Sequence, residues 1–239
     1  MTIRVFILCL PCIQLFSQGF QVSSGINYGS YQLSDIKALR SDFIRQLAAT
    51  LPISVSTIGD FPPYLGFEVQ VLAVQKRTNF GGFISLNSTG SRIYYADYSG
   101  SLTFDQNLKC IGVGGVFEFF PGRVGEESNK ARFVLTSRVG ALFSTYELDY
   151  QLSLGQSIDA ELIQFNATNF IMMPGFGFRK KIRNFTIQPE LRFLFDIPGS
   201  LKLSTNSDIS LNKPAGGRAT ANWSGFRLSI AVGFEKKNK

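Results

Sequence analysis

Along residues 223–234, WSGFRLSIAVGF, apolar side chains alternate with small or polar ones. Phe226, Leu228, Ile230, Val232 and Phe234 share one face of an extended chain, and Gly225, Arg227, Ser229, Ala231 and Gly233 share the other. The same two-residue period recurs in segments 20–31, 64–77, 79–88, 106–120, 131–148, 165–181 and 185–197, which with 222–235 makes eight predicted strands. Only residues 34–52, SDIKALRSDFIRQLAATLP, carry a helical period. There Ile36, Leu39, Phe43, Leu47 and Leu51 form one stripe, Ser34 is placed to cap and Pro52 to stop the helix.

Several predicted strands run to about ten residues or more, the length that crosses a bilayer at a tilt. The connections alternate as well. Short stretches around KRTN, PGRVGEESNK and KIRN join strands two to three, four to five and six to seven, and the others are longer. In an up-and-down meander alternate connections share an end, so short turns lie on one side and long loops on the other.

The two faces differ in kind. One gathers Ile26, Phe67, Val69, Val71, Ile84, Leu86, Phe117, Phe133, Phe143, Phe170, Phe176, Phe178, Leu191 and Phe195, and the other Gly25, Asn27, Gly66, Gln70, Gly112, Gly114, Thr136, Gly140, Ser144, Gly175, Gly177 and Ser229. The interior of an eight-stranded barrel is only just wide enough for side chains to fill. Phenylalanines would overpack it, whereas Gly and Ser interleaved with a few charges fit. The apolar face therefore points outward, and an outward apolar face of this extent requires lipid. The predicted fold is all-β, an eight-stranded antiparallel up-and-down transmembrane β-barrel with short periplasmic turns, long external loops and one short helix in the first loop.

Inward-facing Glu68, Glu118 and Glu190 match Arg138, Arg192 and Arg227 in number, which predicts a charge network across the lumen; unpaired charges there would be costly. A gated ion or proton path through the same residues is the alternative. Tyr28, Tyr64, Tyr146 and Trp223 toward the long-loop end, and Phe20, Phe119, Phe120, Phe185 and Phe234 toward the other, read as interfacial belts. The helix reads as a lid over the barrel mouth, or as a surface helix offering Lys37, Arg40 and Arg45 to headgroups or a partner. Tyr94, Tyr95 and Tyr98 in RIYYADYSG of the second loop are further candidate contacts.

Composition sharpens this picture. The 239 residues are 44% hydrophobic, with Phe 23, Gly 23, Trp 1 and no His. Residues 1–17, with Arg4 ahead of an apolar run from Val5 to Leu15, read as a cleaved signal peptide, leaving 18–239 as the barrel domain. Cleavage would remove Cys9 and Cys12 and leave Cys110 without a disulfide partner. The net charge of +7 comes from scattered Lys and Arg, a solvated surface rather than a nucleic-acid site. After the signal no apolar run reaches the length of a membrane helix. Lack of His removes Ser-His, Asp-His and Cys-His catalysis, and imidazole or thiolate metal sites are disfavoured. GVGG at 112–115 lies within a strand and lacks the Lys and helix of a phosphate loop. Glu118 and Glu190 sit on the face that carries the Arg residues, which argues against a hydrolytic carboxylate pair. No enzyme activity and no cofactor are expected.

With these strands and the terminal GFRLSIAVGFEKK in view, the chain resembles the outer-membrane β-barrel domain family, the small OmpA- and OmpX-like barrels and the PorT-like "porin family" proteins. The resemblance implies a Gram-negative outer membrane, periplasmic N- and C-termini, surrounding outer-membrane lipid, and insertion by the barrel assembly machinery. Five polar residues follow Phe234, a departure from barrels that end on the aromatic itself. The expected function is non-enzymatic, through external loops that support adhesion, partner binding or secretion. The alternatives are a narrow channel for small solutes and a soluble lipocalin-like carrier of an apolar ligand.

Overall fold

The computed structural model describes residues 19–50, 56–58, 60–98, 100–122, 131–154 and 157–237. The signal-peptide reading of 1–17, Cys9 and Cys12 fall outside these residues, as do Leu51 and Pro52 of the helical stretch and 123–130 of the fourth-to-fifth connection.

Each alternating segment forms a strand. In chain order the elements are β1 (Gly19–Gly29), α1 (Ser34–Thr50), β2 (Ser56–Ile58), β3 (Tyr64–Val74), β4 (Thr78–Asp97), β5 (Gly100–Phe119), β6 (Arg132–Leu154), β7 (Ser157–Ile182), β8 (Phe185–Ile197), β9 (Lys202–Leu203) and β10 (Gly225–Lys237). β1, β3, β4, β5, β6, β7, β8 and β10 pair antiparallel in ring order, and β10 against β1 closes the ring through Gly19↔Lys237 to Gly29↔Arg227. Closing the ring lets neighbouring strands satisfy each other's backbone groups, which a strand structure in hydrocarbon requires. No described helix is long and apolar enough to cross a membrane.

The period of two sets the faces. Ile26, Phe67, Ile84, Leu86, Ile111, Phe117, Leu135, Phe143, Phe170, Met172, Phe176, Leu191, Phe195, Phe226 and Ile230 are exposed on the outside, while Gln21, Asn27, Gln70, Ser85, Thr136, Gln188 and Ser229 are buried inside. Glycine on the inner face is a steric need where strands press together. A Cβ on Gly114 would strike the backbone of Val139 and Gly140, and one on Gly140 the backbone of Val113 and Gly114. The pair face each other across β5 and β6.

Beyond the apolar belt the wall continues on one side only. Two of the connections expected as long loops are strand for most of their length: β4 pairs β5 up to Asp97↔Gly100, and β6 pairs β7 up to Leu154↔Ser157. β5 also pairs β6 up to Gly100↔Leu154, so four strands rise together above the barrel, roughly 30 Å along each strand, with β2 on the β4 edge.

The mouth is covered. Leu33 and Ile36 at the start of α1 and Leu201, Ala219, Ala221 and Trp223 of the 198–224 connection have no exposed surface, and they pack with Leu108, Leu142, Tyr146, Ile171 and Leu194 from the barrel wall. Asp35 ties the two covering pieces together by accepting hydrogen bonds from the Thr220 amide (3.0 Å) and hydroxyl (2.8 Å). Phe43 of α1 stacks on Phe104 of the raised sheet at 4.4 Å.

Candidate functional site

Two regions carry the chemistry: the lumen and the surface above its mouth. In the lower half of the lumen Arg138 lies between two carboxylates, its guanidinium 3.1 Å from both Glu68 and Glu190. Arg192 meets Glu68 at 2.8 Å and Glu190 at 3.3 Å. Glu118 accepts from Asn79 (2.7 Å), Gln188 (2.9 Å) and Arg179 (2.5 Å). Gln188 also donates to Glu190, joining the two halves into one network. Each ion in the network is almost wholly buried, so each is tolerable only because an opposite charge and hydrogen bonds replace its water.

Two members differ from the sequence expectation. Arg179 was not among the expected charges, although it lies an even number of residues from inward Gly175 and Gly177 and so shares their face. Its guanidinium also sits over the Phe120 ring, 4.9 Å from the centroid. Arg227 is inside but stands apart: none of its three guanidinium nitrogens has a hydrogen-bond partner among the described residues, and it lies over the Tyr31 ring at 5.6 Å. Register explains this. Arg227 sits opposite Arg192, on the mouth side of Glu190, which lies opposite Ser229. Glu68 and Glu190 are both engaged by Arg138 and Arg192.

The aromatic belts need a correction of the same origin. Tyr28 and Tyr64 are exposed on the long-loop side and Phe20, Phe185 and Phe234 on the other, but Tyr146, Trp223 and Phe120 are buried inside. Tyr146 shares the inward parity of Arg138 and Ser144. Trp223 donates its indole N–H to the Ser144 hydroxyl (2.9 Å) and packs edge-on against Tyr31 at 4.8 Å. Burial pushes the Tyr31 phenol above its ordinary range, with the Arg227 charge acting in the opposite direction. Cys110 is a buried inward thiol.

Above the mouth the expected contact residues separate. Arg40 is turned inward and pairs with Asp60 at 3.2 Å; Arg45 is exposed and pairs with Asp42 of its own helix; Lys37 is half-buried. Tyr94 and Tyr95 lie on β4 rather than in a loop, on opposite faces of the raised sheet, Tyr94 exposed and Tyr95 half-buried, while Tyr98 is fully exposed at the tip. The alternation of ISLNSTGSRIYY continues past Leu86, and that was the signal for a longer strand. The outer face of the raised sheet carries the pairs Arg92–Asp105 (2.6 Å) and Lys109–Glu147 (2.8 Å). Along the opposite margin, β7 from Ser157 to Ile163 pairs only with β6 among the described residues, and Ile158 and Leu162 project from it largely exposed.

A closed ring of eight strands, an apolar outer belt and a charged, side-chain-filled lumen settle the class. The chain is a small β-barrel of the outer-membrane type. No family model matches the chain, and no curated protein matches it. Among solved structures it is similar to Ail, the attachment invasion locus protein of Yersinia pestis, at 12% identity and a TM-score of 0.40, over 92% of this chain and 100% of that one. It is similar to Neisserial surface protein A at 12% identity and a TM-score of 0.35, over 90% and 95% of the two chains. The transport unit of the autotransporter AIDA-I from Escherichia coli follows at 11% identity and 0.23, over 94% and 91%.

Proposed function

We propose that this barrel sits in a bacterial outer membrane, with both ends of the chain on the periplasmic side, and works without catalysis as a surface anchor for partner binding or adhesion. The raised sheet carries the reading. Four strands stand clear of the apolar belt, and the β7 margin from Ser157 to Ile163 offers backbone N–H and C=O groups with no strand beside them among the described residues. Natural sheets protect such an edge, and one left open is a template on which an extended partner segment adds a strand. Ile158 and Leu162 beside it supply apolar contacts. Insertion by the barrel assembly machinery and support of a secretion system belong to this proposal as roles of the same surface barrel.

The test replaces Ala160, mid-edge and exposed, with Pro, alone and together with Leu162→Lys. Binding of expressing cells to host matrix or to partner cells is expected to fall while the barrel keeps its heat-modifiable migration in gels. Unchanged adhesion by a folded double variant would remove the edge from the proposal. The channel reading fits less well, because buried ion pairs below and an apolar core above occupy the lumen. The carrier reading fits least, since the apolar face is outside; extraction by carbonate without detergent would restore it.

A further inference from the structure

The β3–β4 ladder ends early. Its last pair toward the mouth is Phe67↔Leu86, after which β3 follows β1 to Tyr64 while β4 runs on against β5. The strands part there, and the Thr89 hydroxyl crosses the gap above by donating to the Pro62 carbonyl at 2.9 Å. At this seam the outer wall has a groove of about 810 Å³. Its lower lips are outward Ile26, Leu65, Phe67, Leu86, Ile111 and Phe143, the upper margin of the apolar belt, its upper rim is polar and carries the Lys109–Glu147 pair, and its floor includes Gly66, Asn87 and Cys110, which belong to the inner face.

The groove thus reaches from the lipid belt to the back of the inner face, and the lumen side there is short of partners. Asn27, opposite Gly66, is 1% exposed and neither atom of its amide is hydrogen-bonded among the described residues. Among the described residues Asn87 has a long contact from the Tyr31 hydroxyl (3.5 Å) and one to the Cys110 sulfur (3.8 Å). Arg227, behind Tyr31, is 1% exposed, and its guanidinium nitrogens have no hydrogen-bond partner among the described residues. Gly66 keeps the seam narrow: a Cβ there would collide with the amide oxygens of Asn27 and Asn87. Two amides and one guanidinium that no carboxylate touches among the described residues, buried behind a slot with apolar lips, ask for an anion that carries its own hydrocarbon.

We propose that this seam binds a single-chain carboxylate amphiphile, a fatty acid drawn from the surrounding leaflet. On binding, the Asn27 and Asn87 amides turn end for end so that their N–H groups, in place of their oxygens, donate to its carboxylate, with the Arg227 charge behind them, and its chain lies along Leu65, Phe67, Leu86 and Ile111. A seat one strand-gap wide suits one chain rather than a many-chained glycolipid. The site rests on the bilayer reading of the belt and not on the sheet-edge proposal, so the adhesion test leaves it untouched.

Trp223, the single tryptophan, reports on the site through its contact with Tyr31. The protein is purified in an uncharged detergent and titrated with stearate bearing a nitroxide near the carboxylate, with the methyl ester of that probe, and with stearate labelled at the chain end. Saturable quenching of Trp223 by the first probe is expected, relieved by unlabelled myristate and weaker for the other two. Arg227→Gln is expected to weaken half-saturation about tenfold, as loss of a charge-assisted contact does. Leu65→Asp, an outward lip residue whose change leaves the lumen intact, is expected to weaken it as well and decides the matter if Arg227→Gln fails to fold. Equal quenching by acid and ester, no relief by myristate, or wild-type affinity in Leu65→Asp overturns the site.

Discussion

At the scale of single residues, Arg138 holds the lower lumen together, because its guanidinium stands between Glu68 and Glu190 and lies 1% exposed. Arg138→Leu leaves Arg192 as the only cation facing both carboxylates, and breaking a buried pair this way costs about 3–5 kcal/mol. Urea unfolding of the protein in micelles is expected to show that loss. Replacing Glu68, Arg138, Glu190 and Arg192 together by apolar residues of similar volume, so that no charge of the group is left unpaired, is expected to recover most of it. Tyr31 offers a test in pH. Its folded phenol titrates above its unfolded one, so the folded chain keeps this proton longer. Stability is unaffected below the unfolded pKa of about 10 and falls as the pH rises above it, because the unfolded chain ionises first. Tyr31→Phe is expected to flatten that alkaline decline in an unfolding series. Parity made most of these inward residues legible in the sequence. Tyr146 and Phe120 are less legible because an aromatic near a strand end has the residue type of an interfacial belt while its position in the alternation places it inside, and the inward place of Arg179 shows only in its parity with Gly175 and Gly177.

At the scale of elements, the strands and the helix answer to different solvents. Ile230 faces outward at mid-strand on β10, and Ile230→Arg is expected to cost about 2–4 kcal/mol of folding into bilayers. Ser229→Arg, one residue along, instead crowds the filled lumen next to Asn27 and Glu190. Comparable refolding of Ile230→Arg and wild type in vesicles would contradict the outward apolar face. The first turn of α1 is buried on the mouth through Ile36, so Ile36→Asp is expected to release the helix and not the barrel. Limited proteolysis checks this: cleavage between residues 34 and 50 should accelerate while the barrel stays resistant. The helical stripe was legible as a lid because Ile36 and Leu39 recur at helical spacing, and these do pack on the mouth. The lengths of β4–β7 were not legible. Beyond the belt the outward positions turn polar, as at Ser88, Arg92, Thr145 and Asn166, so a strand lying above lipid has the composition of a loop and only its alternation betrays it.

At the scale of the whole molecule, storeys succeed one another along the barrel axis: charge network, apolar core, lid, and a raised sheet on one side. Among the described residues, buried ion pairs and an apolar core fill the first two, so purified protein in planar bilayers is expected to show no discrete conductance steps. Steps that persist in wild type and change size in Arg138→Gly would revive the channel reading. The fold class was legible from periodicity because an eight-stranded lumen admits only one assignment of a Phe-rich and a Gly-rich face. The seam between β3 and β4 was not, since it depends on where two strands part and not on what either contains.

The pairing of β1 with β10, from Gly19↔Lys237 to Gly29↔Arg227, has a consequence of its own. The seam that joins first strand to last is an ordinary antiparallel hairpin lacking its turn, so along the circumference the fold has no privileged starting point. A short linker from residue 237 to residue 19, with new ends cut at the tight turn of Arg183 and Asn184, gives a circular permutant that keeps all eight rungs of the ring. It also moves the chain's last-made strand from β10 to β7. How fast such a permutant inserts, against how stable it is once inserted, would separate what the finished barrel needs from what its order of synthesis needs.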